Sequence, residues 1–166
     1  VLTTGASGGV GLAAIQILAA RGCDAIAYNS PGKEEAIRDA GAVEVVVRGR
    51  DSLSEIEEVD AVLDVVGGPE FGGLVDRLRT GGRLVTVGAI AGPLVELDLR
   101  RIYLRHRRVL GSTMHNPTVF AAVVDMARRG VVAPVVAGAY PLTDIATAQE
   151  RFADHDFVGK LVIVPA

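Results

Sequence analysis

Apolar residues in this chain follow two rhythms, short solid runs and stretches spaced three to four apart, and the two alternate from the first residue onward. Solid apolar runs bounded by turn formers suit strands buried on both faces, whereas 3.6-residue spacing suits helices lying over them. Val1-Leu2-Thr3 is the first run, and Leu12, Ile15, Gln16, Leu18 and Ala19 then recur at helical spacing up to Ala20. Residues 25–28 predict a second strand, 33–40 a helix ending at Gly41, 43–47 a third strand and 60–66 a fourth. The pattern continues with a helix over 71–79 closed by Gly81-Gly82, a fifth strand over 83–87 closed by Gly88, a helical stretch over 97–105 and a sixth strand over 109–113. Six strands joined by helical crossovers predict an α/β fold, a doubly wound Rossmann arrangement with a parallel sheet covered on both faces. Ligands of such sheets lie along the carboxyl ends of the strands.

The tail has a different pattern. A helix over 116–129 is followed by extended pieces at 131–136 and 139–142, a helix capped by Thr143-Asp144 and running through Phe152, and an apolar strand over 159–165. Two strands added after a complete sheet need neighbours. The chain divides accordingly into a dinucleotide-binding domain over 1–130 and a C-terminal segment over 131–166.

Strand, turn and helix over the first 22 residues define a ligand. Gly5 to Gly11 form a turn free of bulk, and Ala6-Ser7-Gly8-Gly9-Val10-Gly11 fits G-x-G-x-x-G with alanine in the first place, where the tight turn needs only a small residue. A diphosphate can then sit on the helix N-terminus, facing unpaired backbone N–H groups and the positive end of the dipole. Gly8 would face the diphosphate, and Gly11 would let helix and strand pack closely. A glycine-rich turn alone could be only a tight connection; the strand before it and the helix after it favour the ligand.

Composition narrows the partners. With 166 residues, 49% apolar residues and positive mean hydropathy, the chain is long enough for a core of strands buried on both faces. Its net charge of -3 gives no overall reason to expect nucleic acid or an anionic membrane as partner. The basic run Arg100, Arg101, Arg105, His106, Arg107 and Arg108 reads as a solvated face. The single cysteine, Cys23, excludes an intrachain disulfide and a multi-cysteine zinc site, and at the head of a strand it is expected to be a small buried residue. His115 and His155 have no ligand spacing, so no metal site is expected in this chain. The first helix is too short to span a bilayer, and no charged leader precedes a cleavage site; a cytoplasmic setting is the expectation. A chain that opens inside a core strand is expected to be part of something larger.

Taken in order, TTGASGGVGLAAIQIL, DVVGG, GGRLVTVGAIAG, LDLRRIYLRHRRVLGSTM, YPLTDIATAQERF and GKLVIVP resemble the medium-chain dehydrogenase/reductase superfamily, most closely its quinone-oxidoreductase and zinc-type alcohol dehydrogenase-like members. The resemblance spans essentially the whole chain. It implies a separate GroES-like catalytic domain, absent here, that carries the substrate groups and any zinc ligands, and to which the closing segment returns. It also implies a homodimer through an edge strand of the sheet.

Cofactor choice is read at the end of the second strand, roughly 20 residues past the fingerprint, where sites for NAD place a carboxylate on the ribose hydroxyls. Tyr28-Asn29-Ser30 is neutral, and Asn29, Ser30 and Lys33 could accept a 2′-phosphate, so NADP(H) is expected in preference to NAD(H). The same residues also read as a polar turn ahead of a helix. Glu34 and Glu35, in the first turn of that helix, would weaken phosphate binding if they pointed inward. Gly67, Val87, Gly88, Ala89, Gly111 and Ser112 stand at strand ends that line the expected cleft, and the resemblance gives their main chains the ribose and the nicotinamide carboxamide. Lys160 occupies a place where the resemblance implies a basic group near the diphosphate. No catalytic side chain is assigned within the chain.

Three functions compete. The first is the cofactor-binding part of an NADPH-dependent oxidoreductase acting on a small molecule, a quinone, an activated alkene or a carbonyl compound. The second is a short-chain dehydrogenase, whose T-G-x-x-x-G-x-G turn is matched by residues 4–11, but whose Tyr-x-x-x-Lys pair is missing: Tyr28, Tyr103 and Tyr140 are followed by Gly32, Arg107 and Asp144. The third is a nucleotide-binding or RNA-binding module with no activity of its own.

Overall fold

Six parallel strands, β1 (Leu2–Thr4), β2 (Ile26–Asn29), β3 (Glu44–Val47), β4 (Val59–Asp64), β5 (Leu78–Thr86) and β6 (Arg108–Gly111), form one sheet in the order β3-β2-β1-β4-β5-β6 in a computed structural model that describes residues 1–165. Adjacent residues of each strand serve opposite layers, because side chains alternate across a strand. Ala27 and Val45 join Ile15 and Ile37 beneath α1 (Gly9–Ala20) and α2 (Glu34–Asp39), while Tyr28 and Val46 join Leu2, Val62, Leu74 and Leu84 beneath α3 (Phe71–Asp76). Each fully buried aliphatic chain in these layers contributes roughly 1.5–3 kcal/mol relative to exposure. The layer under α1 is built of alanines, so helix and sheet lie close together on the side where the glycine turn sits.

Several boundaries differ from the sequence reading. The helix expected over 71–79 ends at Asp76, and β5 starts at Leu78, because the Arg77 carbonyl accepts from Val59 N–H at 2.8 Å and this switches the chain into the ladder. The helical stretch over 97–105 reduces to α4 (Arg100–Tyr103). Cys23 is exposed, a correction to the buried position expected: α1 stops at Ala20, Gly22 turns with a φ of +67°, and the chain stays outside until Ala25.

The tail contains α5 (Pro117–Arg128), β7 (Val136–Pro141), α6 (Ile145–Asp154) and β8 (Lys160–Val164). Asn116 caps α5 as its residue type suggests, accepting from Val119 N–H at 2.9 Å, whereas Asp144 stands before α6 without bonding its amides. The two extended pieces expected at 131–136 and 139–142 become one strand, because Val131 is still bonded to Met126 as the helix unwinds. The last strands, expected to lack neighbours in this chain, pair with each other in parallel as a separate two-stranded sheet, with α6 as their crossover. Among the described residues no helix is long and apolar enough to cross a membrane.

Candidate dinucleotide-binding site

The strand order reverses between β1 and β4, and the glycine turn leaves β1 at that point. Gly5 turns with a φ of +57°, Gly8 N–H donates to Gly5 O at 3.0 Å, and α1 follows at once. Gly11 is fixed by contact distance: a Cβ there would lie 2.5 Å from Gly5 O and 2.6 Å from Ala6 Cα, both backbone atoms. Gly8 is different. It is exposed, and a Cβ there would meet only Gly5 O at 3.4 Å, so bulk at this position would face outward, where a ligand approaches. No side chain caps α1 and no acidic residue stands in its first turn, which leaves its dipole and its first amides to an anion. The exposed side of Val10 completes this rim. The geometry therefore fits a dinucleotide diphosphate.

Two side chains brace the turn. Asn29, 4% exposed, accepts from Ser7 N–H through Oδ1 at 3.1 Å and donates from Nδ2 to Ser30 O at 2.9 Å, so it faces the turn rather than solvent. Lys160 lies across Gly9, where a Cβ would clash with its Cε, and the preceding Gly159 N–H donates to Ser7 O at 2.9 Å. The tail thus returns to the first turn of the chain. Ser30 is exposed, and Lys33 donates to His155 O at 2.6 Å, beside a hollow of about 250 Å³ between α2 and Val158.

A second cluster forms at the end of β4, where Asp64 is fully buried. Its carboxylate accepts from the Thr4 hydroxyl at 2.7 Å, Val66 N–H at 3.1 Å and Gly67 N–H at 3.1 Å, and its carbonyl accepts from Val87 N–H at 2.9 Å. The carboxylate therefore ties the end of β1 to the turn after β4, while the Asp64 carbonyl holds the end of β5 beside them. Gly67, with a φ of +64°, packs against Ala89, and Gly88 lies against Val65 O, so the main chains of Gly67, Gly88 and Ala89 meet face to face. Gly111 and Ser112 stand farther out, with Ser112 N–H donating to Thr86 O at 3.0 Å. From β1 to β6 is three strand steps, about 14 Å. The predicted residues therefore form a row along the strand ends rather than a closed pocket.

Sequence reasoning missed Asp64's part in this and a third cluster. Tyr28 hydroxyl donates to Glu70 Oε1 at 2.5 Å, Glu70 Oε2 pairs with Arg48 Nε at 3.0 Å, and Arg48 lies over the Tyr28 ring. Burial, then the bond to Glu70, push the Tyr28 hydroxyl up to about 12, which keeps it protonated. Arg48 N–H donates to Asn29 O at 2.8 Å, so this guanidinium leaves the strand adjacent to the one that ends in Asn29-Ser30. The signal was available, because the 3-2-1 strand order sets the end of the third strand beside the end of the second.

The model for zinc-binding dehydrogenases matches residues 9–129, which run from Gly9 at the start of α1 through all but the first strand of the six-stranded sheet and include Asp64. The chain belongs to the zinc-binding dehydrogenase family. It is 30% identical to an acryloyl-coenzyme A reductase of Sulfurisphaera tokodaii over 99% of its own length and 50% of the relative's. Among solved structures it resembles a putative alcohol dehydrogenase from Sinorhizobium meliloti (46% identity, TM-score 0.94, 99% of this chain and 48% of that one). It also resembles the 2-octenoyl-CoA carboxylase reductase CinF in complex with NADP and 2-octenoyl-CoA (27% identity, TM-score 0.90, 99% and 42%). The chain spans about half the length of the curated relatives it matches. The family is one of dinucleotide-binding oxidoreductases. Its zinc does not fit here: among the described residues no group of three or more His, Cys, Asp or Glu side chains could hold a metal.

Proposed function

We propose that this chain is the coenzyme-binding portion of an NADPH-dependent oxidoreductase whose substrate is an activated alkene such as a 2-enoyl thioester, a quinone, or a carbonyl compound. The observation that carries the reading is the uncapped start of α1 at the strand-order switch, with Gly8 open to solvent and Gly11 closed by backbone. Bound coenzyme supplies hydride from its nicotinamide ring. The chain's own work is to hold and orient it: the main-chain amides of Gly9 and Val10, beside the open Gly8, take the diphosphate, with Lys160 adding charge, and Gly67, Val87 to Ala89, Gly111 and Ser112 line the ribose and nicotinamide.

The preference for a 2′-phosphate rests on charge. The end of β2 carries no carboxylate, Ser30 is exposed, and Lys33 and Arg48 bring cations to either side. Asn29 acts through the turn it holds, by keeping Ser7 in place. Residues 131–166 return to an upstream catalytic domain in this reading, and that domain supplies the substrate groups and the proton.

Coenzyme fluorescence titrations of the chain test the proposal directly. Tighter binding of NADPH than of NADH is expected, with no turnover of an enone or quinone until an upstream catalytic half is joined. Tighter NADH binding overturns the coenzyme assignment, turnover by the 166-residue chain alone overturns the division of labour, and binding without turnover in the joined protein leaves a nucleotide-binding module instead.

A further inference from the structure

At the amino ends of β4, β5 and β6, opposite the coenzyme site, the basic run that reads as a solvated face folds into a hollow of about 400 Å³. Its walls carry five arginines against two carboxylates, Glu58 and Asp76. Three of the arginines are matched: Arg105 pairs with Glu58 at 2.5 Å, Arg101 with Asp76 at 2.8 Å, and Arg100 with Asp98 at 2.7 Å.

The other two are not. Arg77 bonds only the carbonyls of Ser54 and Ile56, at 2.7 and 2.8 Å. Arg107 bonds the carbonyls of Arg101 and Asp76, and reaches the Asp76 carboxylate, already engaged by Arg101, only at 3.8 Å. Arg107 is 6% exposed, and among the described residues the Nε atoms of both Arg77 and Arg107 are buried without a hydrogen-bond partner. A buried guanidinium N–H left unpaired is costly, so two in one wall ask for an acceptor. Burial first, and then repulsion from Arg105, depress the Arg107 guanidinium below its ordinary value, which is the response of a cation short of counter-charge.

We propose that this hollow is an anion site for one dianionic phosphate group, free or carried as a monoester on a small molecule, which supplies the two negative charges that Arg77 and Arg107 lack. The charge count selects a dianion, and the fork geometry of guanidinium selects a tetrahedral oxyanion over a halide. The site is distinct from the coenzyme cleft, because the nine residues of β5 separate the two ends of the sheet by roughly 30 Å. It requires no assumption about the reaction.

The test is an NMR titration of the isotope-labelled chain, following the Nε–H resonances of Arg77 and Arg107 together with the amides of residues 8–11. Inorganic phosphate at millimolar concentration is expected to move both arginine resonances saturably, while chloride at matched ionic strength does not. Phenyl phosphate, run in parallel, distinguishes the sources: tighter binding than inorganic phosphate marks an esterified ligand, equal or weaker binding a free one, and either supports the site. Asp76→Asn removes the carboxylate that competes for Arg101 and Arg107 and is expected to tighten phosphate binding at least threefold, a gain that misfolding cannot imitate. Arg77→Met is expected to weaken it at least tenfold. Shifts confined to residues 8–11, a linear response equal to that of chloride, or unchanged or weaker binding by Asp76→Asn would overturn the proposal.

Discussion

Gly8 and Gly11 sit three residues apart on the same turn, yet they should fail in opposite ways when given side chains. At Gly11 an added methyl meets Gly5 O at 2.5 Å, Ala6 Cα at 2.6 Å and Ala6 C at 2.9 Å. Backbone cannot step aside as a side chain tip can, so overpacking of about 1–3 kcal/mol applies at its upper end, offset by up to about 1 kcal/mol from alanine's better helix propensity. Gly11→Ala should therefore cost about 2 kcal/mol, or about 4–8 °C in Tm for a chain of this size. At Gly8, the cap residue of α1 with φ of -79° and ψ of 168°, threonine adopts the observed backbone freely and caps about as well as glycine. Gly8→Thr should melt within about 2 °C of the parent while its branched Cβ faces the diphosphate, weakening NADPH at least about tenfold, which is about 1.4 kcal/mol. Thermal melts and coenzyme fluorescence on the two variants make the comparison. An unshifted melt for Gly11→Ala would refute the close approach of helix and strand; parental NADPH affinity in Gly8→Thr would mean that the diphosphate binds elsewhere.

Other outcomes follow from the same geometry. Ser30→Asp sets a carboxylate at the exposed end of β2, so the ratio of NADPH to NADH dissociation constants should shift at least about tenfold toward NADH; an unchanged ratio in a folded variant removes the end of β2 from coenzyme selection. Asp64→Ala strands the Thr4 hydroxyl and the Val66 and Gly67 amides, and at about 1 kcal/mol or more for each it should cost about 3 kcal/mol or more in urea unfolding. The Arg100 guanidinium holds the Asp98 carboxyl down to about 2, so this pair adds its small stabilisation above the unfolded value of about 3.9 and loses it as pH falls through 2. In Arg100→Ala, an NMR titration of Asp98 should move back toward that ordinary value, and an unmoved midpoint would show that the ion pair is not formed in solution. β6 is an exposed edge strand, with Leu110 46% exposed, and sedimentation of the chain should find a dimer that Leu110→Lys disperses; a monomeric parent would refute pairing through this edge.

The order of elements was legible because strands buried on both faces leave solid apolar runs and helices do not. Boundaries were less so. Arg77 to Arg79 continue a helical pattern on paper, and only the pairing of Arg77 O with Val59 N–H, a contact between distant segments, cuts the helix short. Cys23 looked buried because it adjoins a strand, but a left-handed Gly22 swings it outward. At the site, the glycine turn could be read residue by residue because its geometry is local. Asn29's inward role, Asp64's three bonds and the Tyr28–Glu70–Arg48 chain could not, since each depends on which strand ends become neighbours. Arg107 was hidden for a related reason, since a run of like charges does not disclose which of its members the fold will bury, and Arg77, outside that run, joins it only through the order of the strands.

The bond from Gly159 N–H to Ser7 O joins residues about 150 positions apart, which makes the opening turn one of the last parts of the molecule to be completed. During synthesis β1 and α1 emerge about 150 residues ahead of Lys160, which cannot cover Gly9 until that stretch has followed. Closing so long a loop slows folding more than it weakens the final state, since each doubling of length adds only about 0.6 kcal/mol. A nascent chain would therefore present its anion-binding amides uncovered until the closing strand arrives.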